Sequence, residues 1–98
     1  MTAETLALIA AYFLCSEAAE VRVLPPAEAA ACVDIYTDVK LSFVDGVDRN
    51  GYHDLSTTER ADVNRTGYAG YLAWRTQNPN LVDQMERDAR EQIAAEAS

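Results

Sequence analysis

Leu6-Ala7-Leu8-Ile9-Ala10-Ala11-Tyr12-Phe13-Leu14-Cys15 is an unbroken apolar run, with Glu4 before it and Glu17 and Glu20 after it. Alanine and leucine favour helix and neither glycine nor proline interrupts, which predicts a helix from about Thr2 to Ala19. Its apolar residues fall on more than one face: Leu6, Ile9 and Phe13 on one, Leu8, Tyr12 and Cys15 on another. A helix that is apolar nearly all round belongs in a core or an interface. This one needs cover from the rest of the chain, from a partner, or from both. The run is shorter than the roughly 20 residues that span a bilayer. It also lacks the basic start of a secretory signal, and a cut after Ala19 would put Glu17 three residues before the site. A degenerate signal is the minority reading, resting on apolar length alone.

Outward from this run, Pro25-Pro26 stops any helix and pre-sets the next, because proline is tolerated in a first turn. A second helix is expected from Pro26 to Leu41. Ala29, Cys32, Val33, Tyr36, Val39 and Phe43 recur at spacings of three and four, an amphipathic stripe. Ser56-Thr57-Thr58-Glu59 matches a capping box, opening a third helix that runs to about Gln77. Gly67 and Gly70 lie inside it. Each costs about 1 kcal/mol relative to alanine, so the glycines mark either a close helix–helix approach or a break. Asn78-Pro79 starts a fourth helix, with Asn78 as its cap. Val82, Met85, Ala89 and Ile93 form its apolar stripe, and Asp83–Arg87–Glu91 and Glu86–Arg90 have the spacing of ion pairs within a helix. The last turns, from Ala94 to Ser98, are expected to fray.

The fold class expected is all-α: a compact bundle of about four helices, with a minor hairpin over 42–54 as the alternative for the main loop. Ninety-eight residues, 49% of them apolar, suffice for one core without staples, giving a single small helical domain over 1–98.

Net charge is −8 and unevenly spread. Residues 1–48 hold eight acids and two bases, and residues 49–98 eight acids and six arginines. Such a chain is repelled by phosphate backbones and anionic lipid, which disfavours direct nucleic-acid or membrane binding and leaves a protein partner or self-association. Arginine outnumbers lysine seven to one in an alanine-rich chain, the codon bias of a GC-rich bacterial or phage source. The location expected is a bacterial host cytoplasm or a phage particle. Cys15 and Cys32 are seventeen positions apart and form no Cys-x-x-Cys pair, and there is one histidine, so a zinc site is not expected. Two buried free thiols are the preferred reading, with a disulfide between two helices as the alternative.

Asp45, Asp48, Asn50 and Asp54 in the main loop are the only candidate metal ligands, and weak ones. Counted from Asp48, a calcium loop would place Tyr52 and His53 where a ligand and a glycine are needed. His53 has no nucleophile in reach, and no phosphate-binding glycine loop or serine elbow occurs. No enzyme activity and no cofactor are therefore expected. Candidate partner-binding residues are Leu8, Ile9, Tyr12 and Phe13 on the first helix and Tyr68, Tyr71, Trp74 and Arg75 on the third, since aromatics with arginine compose interface hot spots. The function expected is a non-enzymatic interaction or assembly module, such as a small bacterial or phage adaptor. The alternative is an acidic inhibitor of the anti-CRISPR or anti-restriction type, which mimics nucleic acid and binds a basic protein surface.

Overall fold

The computed structural model describes residues 2–97. Among them lie five helices and no strand: α1 (Ala3–Val21), α2 (Pro26–Leu41), the short α3 (Arg49–Asp54), α4 (Thr57–Gln77) and α5 (Pro79–Glu96). This is an all-α bundle of four long helices.

Local chemistry sets the helix starts. Thr2 Oγ1 accepts from the amide of Thr5 at 3.1 Å and opens α1. The expected capping box opens α4: Ser56 Oγ accepts the Glu59 amide at 3.2 Å, and the Glu59 carboxylate accepts the Ser56 amide at 3.1 Å. No hairpin forms over 42–54. The chain turns through residues 42–46, where Gly46 takes φ +77°, and Asp48 then caps the amide of Gly51 at 2.7 Å. That cap winds residues 49–54 into a helical turn, which removes the extended backbone a hairpin needs.

Other expectations at the fourth long helix also change. Asn78 does not cap α5 with its side chain. Its Nδ2 turns back to donate to the carbonyl of Trp74 at 2.8 Å, tying the end of α4. The charges of α5 reach across the bundle: Glu86 faces Arg75 of α4 at 3.5 Å, and Arg90 faces Glu17 of α1 at 3.7 Å. Helix α5 is assigned to Glu96, and Ser98, the last residue of the stretch expected to fray, lies outside the described residues.

Helix α1 packs against α2 and α5, α2 packs against α4, and α4 meets α5 less extensively. Helices α1 and α4 thus stand diagonally, as do α2 and α5. The core is small: Ile9, Phe13, Val39, Tyr71, Trp74, Val82 and Ala89 form its buried cluster, and only Ile9 and Val39 among large side chains are wholly enclosed. The molecule is flat, 44 × 33 × 19 Å, and its radius of gyration of 14.3 Å exceeds the ~13 Å of a compact domain this long. The two interior glycines of α4 mark close approach and not a break. Both face the end of α2 and the turn after it, Gly67 beneath the Lys40 carbonyl and Gly70 beneath the Phe43 side chain.

Cys15 and Cys32 are joined by a disulfide, with Cα atoms 5.8 Å apart. This corrects the free-thiol reading. Both are half-buried and not enclosed, and they sit on neighbouring helices that pack directly on each other. No helix of the described residues is long and apolar enough to cross a membrane.

Candidate functional site

Because α1 and α4 stand diagonally, the gap between them is left open on one face of the flat bundle. It forms a pocket of about 250 Å³. Buried Phe13 of α1 and Tyr71 of α4 form its floor. Tyr12 of α1 and Tyr36 of α2 stack on one side, with ring centroids 4.5 Å apart and planes at 12°. Tyr71 meets both rings nearly edge-on, at 78° and 77°, the geometry that brings a positive ring edge to a negative face. Exposed Tyr68 and Leu72 of α4 and Ser16 of α1 form the rim, and half-buried Glu17 of α1 and Glu86 of α5 also line the pocket.

Cations already serve these rings from within. The Arg75 guanidinium lies 5.6 Å from the Phe13 ring centre and 5.8 Å from that of Tyr71, and donates to the Tyr71 hydroxyl at 3.1 Å. Lys40 Nζ stands 4.5 Å over Tyr36. Burial pushes the Tyr36 phenol up, and the neighbouring hydroxyls of Tyr12, Tyr68 and Tyr71 push the same way. Burial also raises Tyr71, against the opposing pull of Arg75. Arg75 is itself held charged by its hydrogen bond to Tyr71, despite its burial.

A second, more apolar groove of about 210 Å³ runs on between α1 and α2, lined by Leu24, Val33 and the Cys15–Cys32 bridge among others. It shares Tyr12, Ser16 and Tyr36 with the first pocket. The two make one strip from Leu24 and Val33 across the stacked tyrosines to Tyr68 and Leu72. Val33 is 65% exposed, Tyr68 44% and Leu72 42%, high values for large apolar side chains bordering one continuous depression.

The eight residues expected to bind a partner divide between interior and surface. Ile9, Phe13, Tyr71 and Trp74 are buried and hold the bundle together. Leu8, Tyr12 and Arg75 are half-buried, and Tyr68 is exposed; of these, Tyr12, Tyr68 and Arg75 border the pocket. The sequence places Tyr36 and Val33 on the amphipathic stripe of α2 and pairs Glu86 with Arg90 inside α5, but marks none of Glu17, Leu72 and Glu86 as a site residue. The signal for Glu17 was present: it follows Phe13 by four, which puts a carboxylate on an apolar face.

The loop carboxylates do not converge. Asp48 is used as a helix cap, and Asp45, Asn50 and Asp54 are exposed. Among the described residues no three His, Cys, Asp or Glu side chains come close enough to hold a metal ion. His53 is exposed on α3, against the Tyr52 ring. Comparison with protein-family models, curated proteins and solved structures finds no match for the chain.

Proposed function

We propose that this protein is a non-enzymatic assembly module that self-associates through the strip running from Val33 across Tyr12 and Tyr36 to Leu72. One observation carries the reading: the apolar and aromatic surface between diagonal helices α1 and α4 stays open, in a bundle with a small core. A buried leucine or valine contributes about 1.5–3 kcal/mol relative to an exposed one, so covering this strip is a driving force for association. A small bacterial or phage adaptor is the setting we propose, and the Cys15–Cys32 bridge favours a phage particle or another oxidising compartment over the cytoplasm, where thiols are kept reduced.

Carboxylate mimicry of nucleic acid is the weaker reading. Glu17, Glu28, Asp38, Asp62 and Glu86 each face an arginine of the same chain, which reduces the free negative surface. Sedimentation of the purified chain across a concentration series, at about 0.1 and 0.5 M salt, separates the two. Self-association that persists at the higher salt supports assembly. A monomer that binds a basic nucleic-acid-binding protein only at the lower salt supports mimicry.

A further inference from the structure

We infer that the pocket between α1 and α4 is completed by Arg65 of a second copy, in a two-fold contact along α4; this rests on the self-association proposed above. The pocket lining carries two carboxylates, Glu17 and Glu86, and one cation, Arg75. The other three ion pairs among the described residues (Arg22–Glu28, Arg49–Asp38 and Arg65–Asp62) close to hydrogen-bond contact. The pairs of Glu17 and Glu86 are the loosest, at 3.7 and 3.5 Å, although these carboxylates are only 21% and 33% exposed. A half-withdrawn carboxylate without a close donor has acceptor positions to fill. The planar, multiply donating head of arginine suits an acceptor set beside aromatic rings, as Arg75 already demonstrates inside the same pocket.

The donor stands on the same helix face as the pocket rim. Arg65, Tyr68, Ala69 and Leu72 are all exposed along one stripe of α4. Seven residues separate Arg65 from Leu72, two turns that bring both to within about 20° of one direction and about 10 Å apart along the axis. Antiparallel pairing of two α4 helices about Tyr68–Ala69 sets Arg65 of each copy opposite Leu72 of the other, at the mouth of its pocket. The small side chain of Ala69 allows close approach at the crossing. A two-fold contact uses one patch twice, so each copy would give one arginine and receive one. Among the described residues the Arg65 side chain is ion-paired with Asp62, one turn away, and is 71% exposed; a pair so open to solvent holds it weakly.

Charge exchange tests this. Arg65→Glu places acid against acid in a homodimer, and Glu17→Arg places base against base. Each variant alone should dimerise at least ~10-fold more weakly than wild type, and an equimolar mixture should recover most of that loss, because both contacts of the mixed dimer pair opposite charges. Should Glu17→Arg lose helical circular dichroism, Arg65→Ala and Glu17→Gln serve in a double-mutant cycle, with effects expected to be non-additive. A wild type that dimerises while the mixture stays monomeric, or while the cycle is additive, overturns the Arg65 contact and leaves self-association standing. A wild type that never dimerises removes both.

Discussion

A Cβ atom added to Gly67 would lie 2.4 Å from the carbonyl oxygen of Lys40 and 2.8 Å from its carbonyl carbon. Both are backbone atoms at the end of α2, and they cannot swing aside as a side-chain tip can. The close approach of α4 to α2 therefore depends on glycine at this position. That approach brings Tyr71 of α4 edge-on to Tyr36 of α2, with ring centroids 6.4 Å apart.

Gly67→Ala should therefore destabilise the protein, although alanine is the better helix former by about 1 kcal/mol. Forcing a methyl group into closed packing typically costs about 1–3 kcal/mol, and rigid neighbours place this site at the upper end. Urea unfolding followed by circular dichroism gives the difference. An unchanged or raised midpoint would show that α2 and α4 can separate freely.

Cys15 and Cys32 close a loop of about the length for which a disulfide contributes ~3 kcal/mol. A Cys15→Ala/Cys32→Ala variant, or the wild type in excess dithiol, should lose stability of that order. The helices should still form, since Ile9, Phe13 and Val39 remain to pack α1 on α2. Urea melts with and without dithiol measure it, and identical midpoints would contradict a structural role for the bridge.

The Glu59 carboxyl is held below its ordinary value first by its bond to the Ser56 amide and then by the Ser56 side chain. A carboxyl lowered by folding contributes stability above its unfolded value and loses it as pH falls through the folded one. Arg22 acts in the same sense on Glu28. The melting temperature should drop between neutral pH and about pH 3, and should drop less for Glu59→Gln, which keeps the capping geometry without the ionisation. Equal slopes for the two proteins would remove Glu59 from the account.

Much of the helical framework is legible in the residues. Pro26 and Leu41 bound α2, and the Ser56–Glu59 box opens α4, because these ends are fixed by local chemistry that neighbouring residues carry. Distant pairings are not legible in this way. The turn of Asn78 toward Trp74 and the cross-bundle partners of Glu86 and Arg90 depend on how helices meet, which periodicity leaves open. The same holds for the Cys15–Cys32 bridge. The pocket was half visible: aromatics and Arg75 stood out by composition, but which of them face outward follows from the α1–α4 diagonal. Ile9 and Phe13 are interior because α1 lies between α2 and α5, while Val33, three residues before Tyr36 on the same helix, faces solvent.

The central claim is that the strip from Val33 to Leu72 is an association surface. Sedimentation equilibrium of the wild type and of Val33→Glu/Leu72→Glu, up to about 1 mM, the range of weak association, tests it most directly. Both substitutions fall on exposed positions, so helical circular dichroism should match in the two proteins. The wild type should show a mass that rises with concentration above the 10.8 kDa of one chain, and the variant should remain at that value. A wild type that stays at the monomer mass throughout, or a variant that associates as strongly, would contradict the account.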